Sequence, residues 1–200
     1  MTPSEIWRLV DVNQIKRIHF GPMAIFSSTG LLISLVEFRP FTTMSEVEVN
    51  QWDELSQFLF HQRRFTNLIE TNRVLLEGFM FAIGWRKCSM NNEQCGLYGS
   101  LGKIKNAKDE WRNRGANLSL VGRILGQSLL YVGDNLFQKI QNCYKSLGIL
   151  SFDQVNCEVG IPANQGAFDF ASALTFITNG FKNSPHLDKD ALLYALGWWF

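Results

Sequence analysis

The chain has 200 residues, 46% of them hydrophobic, enough to bury roughly 70% of the surface of the extended chain around a single core. Nineteen Lys and Arg against 18 Asp and Glu leave a net charge of +1, which excludes a strong field that would by itself collect polyanions or membranes. The start, Met1 to Arg8, has neither the basic end nor the apolar centre of a secretory signal, and no apolar run approaches a membrane span. The expectation is one intracellular domain over 1–200, with no membrane partner.

From about Ile18 to Phe41, apolar runs flank Ser27-Ser28-Thr29-Gly30, the pattern of a β-hairpin with Gly30 free to take a positive φ and Pro40 ending the second strand. Ser45-Glu46-Val47-Glu48 has the capping-box form, and Trp52, Leu55 and Leu59 continue at helical spacing to about Ile69. Leu75 to Trp85 is an apolar run punctuated by glycine and reads as a buried strand. Asn91 to about Lys108 is polar and glycine-bearing, a surface loop.

Val121, Leu125, Leu129, Val132, Leu136, Ile140, Cys143 and Leu147 step by three or four residues along one face of a long helix, or of two helices broken near Gly133. Ala173 to Thr178 reads as a strand, Asn179 to Asp190 as a polar connection, and Leu192 to Phe200 as a further strand. An apolar strand at that point leaves an unpaired edge, so the sequence is read as a fragment of a longer domain that self-associates through it.

Four cysteines, Cys88, Cys95, Cys143 and Cys157, are too few and too scattered for a disulfide framework, and no disulfide-linked partner is expected. Cys88 and Cys95, with six residues between them, are too far apart for the usual zinc spacing. Gly96 to Lys103 lacks a phosphate-binding loop's first glycine, where Leu97 stands, and its hydroxyl residue, where Ile104 stands. No Gly-x-Ser-x-Gly or Cys-His pairing points to a covalent nucleophile.

Of the three histidines, His61 reads as part of a solvated basic face with Arg63 and Arg64, and His19 as a structural residue of the hairpin. His186 differs, because it stands in Ser184-Pro185-His186-Leu187-Asp188. Extended backbone turns residues two apart to one face, so His186 and Asp188 could both reach one ion. Imidazole plus carboxylate suits Fe(II), and a third ligand would complete a facial triad with three open positions. A 2-oxo acid takes two of these and dioxygen the third. Polar connections contain His-x-Asp by chance, so the surroundings of the motif decide its weight.

Those surroundings are Ala173-Leu174-Thr175-Phe176-Ile177-Thr178-Asn179-Gly180-Phe181 before the motif and Tyr194-Ala195-Leu196-Gly197-Trp198-Trp199-Phe200 after it. Together they resemble the metal-binding core of the fungal Tet-like 2-oxoglutarate/Fe(II)-dependent oxygenases, relatives of the ten-eleven-translocation and J-binding-protein enzymes. The hairpin Gly21 to Gly30 and the segment Met80 to Arg86 are also similar to that family, so the likeness runs from about residue 18 to 200.

The resemblance implies an α+β fold, a double-stranded β-helix of jelly-roll type, here partial, with packed supporting helices. It implies His186 and Asp188 as metal ligands, Fe(II) and the co-substrate 2-oxoglutarate, and C–H oxidation coupled to formation of succinate and carbon dioxide. It also implies a methylated base of DNA as substrate, flipped out of its duplex, and a nuclear location. The family's distal histidine and its basic anchor for 2-oxoglutarate lie on strands after His-x-Asp, and this chain ends twelve residues past Asp188. Neither is assigned, no other catalytic residue is named, and the iron site as written is expected to be incomplete.

Two readings therefore stand at this point: an oxygenase completed by sequence beyond Phe200, and a non-catalytic remnant or interaction module that keeps part of the fold. A DNA-binding module without chemistry ranks last, given the near-neutral charge and the lack of a DNA-docking motif.

Overall fold

In a computed structural model, residues 21–69, 75–87, 95–154, 166–183 and 197–198 are described. The expected hairpin forms: β1 (Gly21–Phe26) runs antiparallel to β2 (Leu32–Phe38), with Gly21 opposite Phe38 and Ala24 opposite Leu35. Its turn is closed by Gly30 N–H on Ser27 O at 3.0 Å, and by Ser27 Oγ accepting from Leu31 N at 3.0 Å. Gly30 takes φ 82°, a conformation closed to most side chains. The hairpin is a sheet of its own and leaves Ile25, Phe26, Leu32 and Ile33 exposed.

A 3-10 turn over Phe41–Thr43 leads into α1 (Glu46–Gln62). The capping box is complete: Ser45 Oγ accepts from Glu48 N, and Glu48 Oε2 accepts from Ser45 N at 2.9 Å, so two amides that the helix cannot pair internally are satisfied. Arg39 Nη2 donates to the other oxygen of Glu48 at 2.6 Å and ties the end of the hairpin to the helix start.

β3 (Leu75–Lys87) is the middle strand of an antiparallel sheet ordered β4-β3-β5, with β4 at Cys95–Leu97 and β5 at Ala173–Asn183. Here the loop expected from Asn91 to Lys108 is corrected. Trp85, Arg86 and Lys87 pair with Leu97, Gly96 and Cys95, then α2 (Leu101–Asn106) follows and α3 begins at Lys108. A three-residue strand and a six-residue helix are too short to show a period, so composition alone reads as loop.

The long apolar stripe divides as the glycine predicts, into α3 (Lys108–Val132) and α4 (Asp134–Leu147). Gly133, at φ −160° and ψ 79°, closes α3 by donating to Leu129 O, and its own carbonyl accepts from Phe137 N to start α4. β5 continues to Asn183, past the Thr178 end expected for it, so residues 179–183 belong to the sheet and not to a connection. Of the strand expected at Leu192–Phe200 only Gly197 and Trp198 are described, and both lie outside regular structure.

One core joins these elements. Leu55, Phe58 and Leu59 of α1, Leu118, Val121, Leu125 and Leu129 of α3, and Phe137 of α4 pack with Phe81 and Ile83 of β3 and with Phe152, Phe170 and Phe176. The architecture is α+β, with antiparallel sheets that do not close into a barrel among the described residues. No described helix is long and apolar enough to cross a membrane.

Candidate metal centre and the strand that leads to it

His186 and Asp188 lie outside the described residues, as does His19; the motif follows Asn183, the last residue of β5, by three positions. What the structure does describe is how β5 is held. At its start, Ser172 N donates to the buried Tyr144 hydroxyl of α4 at 2.9 Å, and Ser172 O accepts from Trp85 N at 2.8 Å. Phe152 N donates to Ala171 O at 2.8 Å, which fixes the residue before. β5 then pairs with β3 from Ala173 opposite Gly84 to Asn183 opposite Leu75. Phe81 and Phe176 stack across this pair at 5.5 Å on the face that meets the helices.

The pairing is not uniform. Between Phe79 opposite Thr178 and Glu77 opposite Lys182, two steps along β3 are matched by four along β5, a bulge that adds two residues to β5. Asn179 and Gly180 absorb them with φ 62° and 64°, and Gly78 faces them with φ 78°. A Cβ on Gly78 would lie 2.5 Å from Phe181 Cα and 2.8 Å from Thr178 O, so only glycine lets the strands meet. Thr178 Oγ1 is buried there without a hydrogen-bond partner among the described residues. Bulges re-aim a strand, and Asn179 and Gly180 stand four and three residues before Asn183, where β5 ends. Sequence reading missed it because Asn179-Gly180 between apolar segments is a turn signal.

The other singled-out residues separate. His61 is exposed near the end of α1, as the basic-face reading expects. Cys143 is a free thiol on α4, Cys95 belongs to β4, and Cys88 and Cys157 lie outside the described residues. Lys103 of the rejected phosphate-loop segment is on α2 and donates to Thr66 O at 2.6 Å. No three His, Cys, Asp or Glu side chains gather into a metal site among the described residues.

A pair of carboxylates that sequence reading did not single out stands under α3. Asp169, 5% exposed, accepts from Gly166 N at 2.7 Å and Gln154 Nε2 at 3.0 Å. Burial pushes its carboxyl up to about 6, the neighbouring Asp153 adds to this, and the Gly166 hydrogen bond opposes it. Asp153 Oδ1 is buried without a hydrogen-bond partner among the described residues. The pair is a structural feature of the joint between 151–154 and 166–171, because Ser151 and Phe152 bond to Ala171 beside it.

A family model described as the Tet-like 2OG-Fe(II) oxygenase superfamily matches residues 45–200. No curated protein and no solved structure matches the chain.

Proposed function

The chain belongs to the Tet-like 2OG-Fe(II) oxygenase superfamily, and from that premise we propose that it is a dioxygenase whose metal ligands include His186 and Asp188. The match over residues 45–200 carries this reading, since it spans α1, the β4-β3-β5 sheet and the His-x-Asp motif together. A neutral imidazole and a carboxylate form a donor set that fits Fe(II). The chemistry supplied by iron with 2-oxoglutarate is oxidation of a C–H bond by dioxygen, with succinate and carbon dioxide as the other products. This chain's own residues supply the frame, in the family's case a double-stranded β-helix. Tyr144, Ser172 and Phe152 fix the near end of β5, and the Gly78 bulge sets the direction in which it continues.

For the substrate we propose a methylated base of DNA, which fits a nuclear protein; at a net charge of +1, binding would rest on local contacts and an extruded base rather than on long-range attraction. The experiment is Fe(II) binding by the chain with and without 2-oxoglutarate, beside the His186→Ala variant. We expect 2-oxoglutarate to strengthen metal binding and the variant to weaken it by at least about tenfold. Fe(II) affinity unchanged in His186→Ala would remove that residue from the site, and no binding by the wild-type chain would favour a non-catalytic interaction module. Succinate release that rises with a methylated oligonucleotide, and not with its unmethylated counterpart, would establish the substrate class.

A further inference from the structure

Residues 63–66, which follow α1, fold back against the start of α3. Arg64 Nη1 pairs with Glu110 Oε2 at 2.7 Å, Phe65 meets Trp111 edge-on at 5.4 Å, and Phe65 O accepts from Ser100 N at 2.7 Å. Between α1 and α3 this leaves a cleft of about 620 Å³, a volume suited to a small ligand.

Arg114 lines it. The residue is 5% exposed, its guanidinium lies over the Trp111 ring at 3.2 Å, and Nη1 donates to Gln62 Oε1 at 2.6 Å. Among the described residues, Nε is buried without a hydrogen-bond partner and no carboxylate pairs with the guanidinium. Burial lowers its pKa to about 9 with no acidic neighbour raising it back. A buried cation held by a neutral amide and a ring face is costly unless an anion completes it. The two acids lining the cleft among the described residues are otherwise placed. Glu110 is held by Arg64, and Glu54 stands eight residues before Gln62 on α1, about 12 Å along the helix.

We propose that the cleft between α1 and α3 binds a small organic monocarboxylate, its carboxylate on the Arg114 guanidinium and its apolar part on Leu55, Phe58, Val121 and Ile124. A guanidinium presents parallel N–H donors that match a planar carboxylate. Gln62, whose Oε1 is taken by Arg114, keeps its amide N–H groups for the same ligand. Arg114 is the only Lys or Arg lining the cleft among the described residues, so one carboxylate balances its charge and a monoanion fits better than phosphate or a dicarboxylate. The site shares no residue with His186-x-Asp188 and does not depend on metal binding there.

The test is calorimetric titration of the metal-free 200-residue chain with octanoate, and separately with inorganic phosphate and with 2-oxoglutarate. Two variants serve as controls: Arg114→Met, which removes the cation, and Gln62→Glu, which places a carboxylate against it. We expect octanoate to bind the wild-type chain and to bind both variants about ten- to a hundredfold more weakly, the range of a charged hydrogen bond. Gln62→Glu should also melt higher than the ligand-free wild type, showing that its loss of binding is not loss of fold. Absence of octanoate binding, equal affinity in wild type and Gln62→Glu, or tighter binding of phosphate or 2-oxoglutarate than of octanoate would each overturn the proposal.

Discussion

Asp169 shows how a single carboxyl can set a pH dependence opposite to the usual one. Its folded pKa, about 6, lies above the ordinary value of 3.8, because burial and then Asp153 disfavour the charged form. The protonated acid is therefore the one the fold prefers, and its contribution to stability is full below about pH 4 and lost as pH rises through 6. Asp169→Asn, neutral at every pH, is expected to be more stable than wild type by roughly 1–2 kcal/mol at pH 7.5, after partial solvation is allowed for, and to match it at pH 4. Chemical denaturation at the two pH values measures the difference; a variant less stable at both would mean that Gln154 and Gly166 require the carboxylate. Glu48 runs the other way. Its carboxyl, held down to about 2 by Ser45 first and then Arg39, supports the helix cap above the ordinary range near 4.5 and releases it as pH falls through the folded value.

At the scale of elements, the bulge between β3 and β5 depends on one glycine. Gly78→Ala places a methyl 2.5 Å from the Phe181 backbone and forces a side chain into φ 78°, so a loss of about 2–4 kcal/mol is expected, read from the urea midpoint. A loss below about 1 kcal/mol would show that the strands can separate locally without consequence. The elements that the sequence disclosed were those with a physical repeat or a stereotyped end: the hairpin around Ser27–Gly30, the Ser45 cap, and the stripe from Val121 to Leu147 broken at Gly133. Those it hid had none. β4 has three residues, α2 has six, and the first turns of α3 hold Lys108, Asp109, Glu110, Arg112 and Asn113, which face outward and give no apolar period. Asn179 and Gly180 spell a turn and build a bulge, because positive φ serves both.

In the molecule as a whole, helices from the middle of the sequence pack on a sheet whose edge strand comes from far downstream. His186 and Asp188 were singled out by the family likeness of the segments around them, since imidazole and carboxylate two residues apart are a weak signal alone, whereas nothing in the sequence pointed to the Arg114 cleft. An arginine within Lys108–Asn117 looks like any surface charge until α1 covers it. Substitutions at the two ends of the core should separate kinetically. Leu125→Ala, within contacts local to the helices, is expected to slow folding, and Phe176→Ala, in the late strand, mainly to speed unfolding, as stopped-flow rates in urea would show. Equal effects on folding would mean that sheet and helices form together.

The pairing of Leu75 with Asn183 spans 108 positions of sequence. Closing so long a loop costs more entropy than a contact within a helix, which favours a folding order in which α3 and α4 first give the loop a compact interior. During synthesis β3 therefore emerges and waits beside short-lived partners while about a hundred further residues are made at a ribosomal pace of seconds. β3 carries the apolar run from Leu75 to Trp85, so in that interval it is a segment open to a chaperone or to another unfinished copy; the stretch carrying His186 and Asp188 is synthesised only afterwards.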